Sequence, residues 1–188
     1  GAQQYSQFSE PHVSHSHEVQ PVVRHYTLSD CDFGNTNTFT LNSNNLIRNM
    51  WLVVTLGDGD GNYCENIGLC LIDRLTYRFA GRAFHDYDYK NVTFAQFQKV
   101  RDAEARSEIM RLAGGVAKAA PGRVVVPLYN YWSSYMKDDP GKTGEAWHNG
   151  GSASRLEISI KWATKADCSS NGTQNITGVD FYFQEILV

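Results

Sequence analysis

The clearest alternation of apolar and polar positions is "RLEISIKWA", residues 155–163. Leu156, Ile158, Ile160 and Trp162 fall on one side, and Glu157, Ser159 and Lys161 on the other. A period of two sends successive side chains to opposite faces of a strand, so this stretch predicts a half-buried strand with the apolar set inward. The same period recurs in "NTFTLN", where Phe39 and Leu41 oppose Thr38 and Thr40. In "LIDRLTYRFAG", Leu75, Tyr77 and Phe79 oppose Thr76 and Arg78, and Gly81 ends the run. In the closing "GVDFYFQEILV", Val179, Phe181 and Phe183 share a face. "NLIRNMWLVVTL" is apolar on both faces, as a central strand covered on each side would be. "PVVRHYTL" and "RVVVPLYNYW" complete the strand candidates.

Between these strands the period changes once. Thr93 and Gln96 make a capping-box pattern. Phe94, Phe97, Arg101, Ala105, Ile109, Leu112 and Val116 follow helical spacing, and Gly114 and Gly115 supply a stop. One inserted helix is therefore predicted over about 93–113. Residues 138–154 and 166–178 are Gly-, Asp-, Asn- and Ser-rich loops, and residues 1–19 read as a polar, disordered arm. About eight strands with long loops predict an all-β antiparallel sandwich or barrel over 20–188, as a single domain. No βαβ alternation is present, which disfavours a parallel nucleotide-binding sheet.

Composition narrows the function classes. A chain of 188 residues is long enough for one well-buried domain. A net charge of −3 argues against coating nucleic acid. No apolar run reaches the ~18 residues of a membrane span, and no secretory leader is predicted. Cys31, Cys64, Cys70 and Cys168 form no C-x-x-C pair, so a zinc knuckle is disfavoured. They read as reduced structural thiols, with Cys70 buried in an apolar run. Asn91, Asn171 and Asn175 each open an N-x-T sequon.

The candidate chemistry is thin. "VVTLGDGDGNY" places Asp58, Asp60 and Asn62 at every second position, like the first ligands of a calcium loop. The sixth and twelfth positions hold Tyr63 and Leu69 where that loop needs Gly and Glu, so a turn between strands is the better reading. His12, His15 and His17 lie in the polar arm as a solvated tract. "PGKTG" lacks the first Gly of a phosphate loop, and Met136 stands in its place. Ser133 and Ser134 have no G-x-S-x-G elbow. His85, Asp86 and Asp88 match no ligand or acid–base set. No enzyme activity, metal or cofactor is expected. The cluster Tyr129, Tyr131 and Trp132 is dense enough for a core or a subunit interface.

The order of several short motifs resembles the amino-terminal jelly roll of the double-jelly-roll major capsid proteins of large eukaryotic DNA viruses. That family opens its first strand with V-x-R-x-Y-T, matched by "VVRHYT" at Val22–Thr27. Its "GDLI" before a long strand is matched by Leu46 and Ile47, and its G-x-x-I-D by "LID" ahead of the helix. Its "VPL" with aromatics is matched by Val126, Pro127, Leu128, Tyr129, Tyr131 and Trp132, and its closing "VDYIFLD" by Val179–Phe183. The family's "LPLIALQYHEV" is replaced by "EAWHNGGSASRLEIS", so the strand before Arg155 is expected to be lost or reshaped.

The resemblance spans about residues 20–188 and implies an eight-stranded jelly-roll sandwich. It also implies a structural capsid role in the virion, assembled in the infected cell. The full-length protein would form a homotrimer that meets other capsid proteins and tiles an icosahedral shell. Tyr129, Tyr131, Trp132, Ile186, Leu187 and Val188 are the candidate interface residues, the last three because the family passes there into its second domain. The rival is a carbohydrate-binding β-sandwich using Trp147 with Asp138 and Asp139, since one fold hosts many functions.

Overall fold

The structure is a computed structural model that describes residues 22–99, 102–130, 147–149, 154–170 and 173–186. Its strands are β1 (Val22–Leu28), β2 (Thr36–Thr40), β3 (Leu46–Leu56), β4 (Ile72–Phe79), β5 (Arg82–Asp88), β6 (Arg123–Pro127), β7 (Trp147–His148), β8 (Glu157–Trp162) and β9 (Ile176–Ile186). Between β5 and β6 lie helices α1 (Tyr89–Lys99) and α2 (Ala103–Leu112), and a short α3 (Lys165–Cys168) follows β8.

The eight longer strands make two four-stranded antiparallel layers, ordered β1-β9-β3-β6 and β2-β8-β4-β5. This is the strand order of a jelly roll, in which each layer interleaves early and late strands. The ninth strand, β7, is a two-residue piece paired to the start of β3, with Ile47 opposite Trp147. It sits in the region where the sequence expects a strand to be lost or reshaped.

The predicted registers hold where one face is buried. Leu156, Ile158, Ile160 and Trp162 are at most 1% exposed; on the other face Lys161 is exposed and Glu157 half-exposed, but Ser159 is buried at 7%, its hydroxyl accepting from Thr38. The apolar set meets Met50, Leu52, Val54, Phe181 and Val179 from the opposite layer in one core. Strand β3 buries Ile47, Met50, Leu52, Val54 and Leu56 fully, whereas Trp51, Val53 and Thr55 on its other face are only half-covered. Its two faces are thus unequal, not equally buried.

The single predicted helix is in fact two. Asp102 ends the first segment by capping the second: its carboxylate accepts from the Glu104 amide at 3.1 Å. Such a cap satisfies amides that a continuous helix would bond internally. Thr93 is not a cap but a buried residue inside α1, and Asp88 just ahead of α1 accepts from Asn91 instead. The helical apolar pattern does not mark a core face either, since Phe94 is 63% and Val116 74% exposed. The Gly114–Gly115 stop stands, with both φ angles positive.

The Asp58–Asn62 stretch carries the chain from one sheet to the other. Asp60 N donates to Thr173 Oγ1 at 3.1 Å, Asn62 N to Ser170 Oγ at 3.0 Å and Ser170 N to Asn62 O at 3.0 Å. The glycines here serve close approach and not a positive φ: a Cβ on Gly59 would lie 2.8 Å from Thr173 Oγ1. Asp58 and Asp60 point to solvent, and among the described residues no group of three or more His, Cys, Asp or Glu could hold a metal ion.

Candidate assembly surfaces

Three places on the sandwich carry features beyond folding. The first is the outer face of the β1-β9-β3-β6 layer. Cross-strand registry puts His25 opposite Tyr182, Tyr182 opposite Trp51, and Trp51 opposite Pro127, so one row crosses all four strands. His25 stacks on Tyr182 at 5.0 Å and 17°, and Trp51 on Tyr182 at 5.8 Å and 8°. The next row runs Thr27, Asp180, Val53 and Val125, and Val23 beside Gln184 is 51% exposed. Period two requires these side chains to alternate with the core set, so a soluble layer would carry polar residues here.

The second place adjoins the first. Helix α2 leans over the β6 edge and leaves a cleft of about 410 Å³ lined by Trp51, Leu69, Ile109, Leu112, Val125, Pro127 and Tyr129. The segment "VPLYN" supplies Pro127 and Tyr129 to this cleft and is held through its own backbone. Tyr89 Oη donates to Pro127 O, Tyr77 Oη to Tyr129 O at 3.0 Å, and Leu128 N to Met50 O at 3.0 Å. Burial pushes the Tyr129 phenol up to about 12.

The third place is the end of the sandwich where β1 starts and β9 finishes. Glu185 is 4% exposed, yet it is ionic. Arg24 Nε donates to Oε1 at 2.6 Å, while Ser43 Oγ at 2.8 Å and Asn45 Nδ2 at 3.1 Å donate to Oε2. Burial raises the carboxyl's pKa, but the hydrogen bonds from Arg24, Asn45 and Ser43 outweigh it and hold the group below its ordinary value. Beside it, buried Asn149 donates to Leu41 O and Ser43 O and accepts from Leu156 N at 2.8 Å, tying the β2–β3 loop to β8. Arg24, Arg155, Asn42 and Glu185 edge a polar cavity of about 570 Å³ at this end.

Of the sequence candidates, Tyr129 is 6% exposed and Ile186 is half-buried opposite Leu46 in the β9–β3 ladder. Tyr131, Trp132, Leu187 and Val188 lie outside the described residues, as do His12, His15, His17, Ser133, Ser134, Asp138, Asp139 and the "PGKTG" stretch. The structure does not present Trp147 as a sugar platform: one ring face is stacked on Phe84 at 5.2 Å and 7°, with Phe79 against it edge-on at 5.6 Å. Asp86 pairs with Arg74 at 2.6 Å and accepts from Thr76, and His85 stacks on Tyr87, so Asp86 ties β5 to β4 while Asp88 serves the start of α1. The Trp51–Tyr182–His25 row and Glu185 were missed by sequence reasoning. Tyr182 and Glu185 meet partners from the first strands of the domain, too far away in sequence for a local signal, although each outward apolar residue in an alternating strand is a hint.

No protein-family model matches this chain, and no curated sequence matches it significantly. Solved structures do match. The PBCV-1 capsid quasi-atomic model aligns over 90% of this chain with a TM-score of 0.66 at 14% identity. PBCV-1 VP54, fitted into a reconstruction of the virophage Sputnik, aligns over 90% with a TM-score of 0.63 at 14% identity. The Faustovirus major capsid protein aligns over 96% with a TM-score of 0.66 at 11% identity. The chain spans about half the length of these proteins, 43% of both PBCV-1 chains and 57% of the Faustovirus chain. The fold of this chain is the jelly roll that those capsid proteins contain.

Proposed function

We propose that this chain is a structural domain of a viral capsid whose work is self-association into a shell. The observation that carries the reading is the complete jelly-roll strand order together with a match to capsid proteins along 90–96% of the chain. Residues 20–188 act as one jelly-roll domain, with residues 1–19 as an arm. The full-length protein is a homotrimer that meets other capsid proteins, located in the virion shell and built in the infected cell.

The row His25–Tyr182–Trp51 and the adjoining cleft suit such a role, because interface centres are rich in aromatics and poor in charge. Tyr131, Trp132, Ile186, Leu187 and Val188 extend the interface, while Tyr129 supports it from beneath. A net charge of −3 fits protein neighbours and not a nucleic-acid coat. The role is not enzymatic.

Sedimentation velocity over a concentration series tests the reading. Reversible growth beyond the monomer is expected. A chain that stays strictly monomeric and binds glycans as a defined unit overturns it.

A further inference from the structure

The polar cavity where β1 starts and β9 finishes interrupts the core pattern. By period two, Arg24 shares the inward face of β1 with Tyr26, and Glu185 shares that of β9 with Phe181 and Phe183. Charged side chains thus stand at two positions where the alternation calls for apolar ones. The β2–β3 loop and Arg155, just ahead of β8, also line this cavity.

Arg155 is an exposed guanidinium held in place without a carboxylate. Nη1 donates to Asn42 Oδ1 at 2.5 Å and Nη2 to Asn44 Oδ1 at 3.0 Å, and no Asp or Glu among the described residues pairs with it. Fixing so long a side chain costs rotamer freedom that hydrogen bonds to two neutral amides offset only in part.

Donors outnumber acceptors around the cavity. Both Glu185 oxygens are taken by Arg24, Ser43 and Asn45, so that carboxylate is closed to Arg155. A guanidinium only donates, so Asn42 and Asn44 must turn their oxygens to Arg155. Their amide N–H groups are left without a partner among the described residues. Arg24 engages Glu185 through Nε alone, and its side chain is 56% exposed, which leaves its terminal nitrogens open.

We propose that this cavity binds a small polar monocarboxylate, its carboxylate held by Arg155 and the terminal nitrogens of Arg24 and its body accepting from the Asn42 and Asn44 amides.

The chemistry sets the class. A planar guanidinium matches a planar carboxylate through two parallel hydrogen bonds. The lining sets two guanidiniums against the single carboxylate of Glu185, so one positive charge is left to balance one ligand carboxylate. A phosphate dianion would place a second negative charge beside Glu185. At about 570 Å³ the cavity is the size of a ligand pocket and far larger than a carboxylate alone, and its walls are mostly polar, so the ligand body is hydroxylated and not hydrocarbon.

Isothermal titration of the folded chain with glucuronate tests this, with glucose as the uncharged counterpart. Glucuronate should bind saturably and more weakly as salt rises, and glucose should not bind. Arg155→Ala should weaken glucuronate binding at least about tenfold through loss of a charge-assisted contact. Arg82→Ala, which removes an exposed guanidinium at the start of β5, should leave it unchanged. Phenylglyoxal labelling of the wild-type chain decides the matter if Arg155→Ala fails to fold: saturating glucuronate should protect Arg155 and not Arg82. No saturable binding of glucuronate, equal binding of glucose or inorganic phosphate, or full affinity in Arg155→Ala overturns the proposal. Sedimentation without added ligand reads the capsid role separately, so the site and that role can fail independently.

Discussion

The two layers of the sandwich share one core but differ on their outer faces. Outside β2-β8-β4-β5 the side chains are charged or hydroxylated. Arg74 pairs with Asp86, Lys161 with Asp73 at 3.2 Å and Arg78 with Glu157 at 3.5 Å, and Thr38 donates to Ser159 at 3.0 Å. Outside β1-β9-β3-β6 run His25, Tyr182, Trp51, Val53, Val125 and Pro127. The charge there is sparse: Asp180, between Thr27 and Val53 in the row beside the aromatic one, lies 3.6 Å from Arg123. One face is finished against water by exposed ion pairs, each contributing little to stability. The other holds apolar surface that the isolated fold leaves half-covered, and such surface marks contacts. The jelly roll alone does not dictate this asymmetry, so it carries functional information that the strand order lacks.

The comparison can be broken from inside or outside. Ile160→Ala, in the shared core, should cost about 2–5 kcal/mol through lost burial and a cavity. Leu52→Ala in the opposite layer should cost a similar amount, both read by urea unfolding. If either were neutral, the common core would be wrongly drawn.

Glu185 tests whether the first layer is locked at its end. Glu185→Ala strands the Ser43, Asn45 and Arg24 donors and should cost about 1–3 kcal/mol, discounted because Arg24 is largely solvated. The carboxyl is lowered in the folded chain, so its contribution is complete above the ordinary Glu value of 4.5 and fades as the pH falls through the folded-state value. Glu185→Gln should flatten that part of an acid titration followed by thermal melting.

Gly59→Ala drives a methyl group against Thr173 and Gln174 and should cost about 1–3 kcal/mol by thermal unfolding. A neutral result would show that the connection between the layers is slack.

The outer faces give the smallest stability effects and the sharpest contrast. Trp51→Ala should cost about 1 kcal/mol of aromatic stacking but weaken self-association in sedimentation. Lys161→Ala should change stability by less than ~1 kcal/mol and leave association untouched. Equal effects of the two on association would erase the distinction between the faces.

The sequence revealed what a local period encodes. Residues 156–162 alternate because one side meets the core while the other carries polar groups, exposed at Lys161, half-exposed at Glu157 and covered at Ser159, so their register was readable without any neighbour. The helical region misled for the opposite reason. Phe94 and Val116 keep helical spacing without a buried face behind them, and the break at Asp102 depends on one cap that the periodicity masks. Strand partners, the Trp51–Tyr182 row and the polar cluster around Glu185 join residues from distant parts of the chain, and no spacing rule reaches that far. The capsid motifs were legible only through their order, each being too short to carry the reading by itself.

The position of β9 has a consequence for how the domain is made. It comes after every other described strand in chain order, yet it lies between β1 and β3, with Val22 opposite Glu185 and Leu52 opposite Phe181. A ribosome therefore delivers seven longer strands before the one that bridges β1 to the rest of its layer. Until then β1 lacks its ladder partner, and the inward faces of Tyr26 and Leu52 have no Phe181 to close over them. Pairings between strands far apart in sequence carry a larger loop-closure cost and fold slowly. This topology concentrates that delay in a final cooperative step, during which exposed strand edges invite contact with other nascent copies. Slowing translation should leave that step unchanged, since it cannot begin before β9 has emerged.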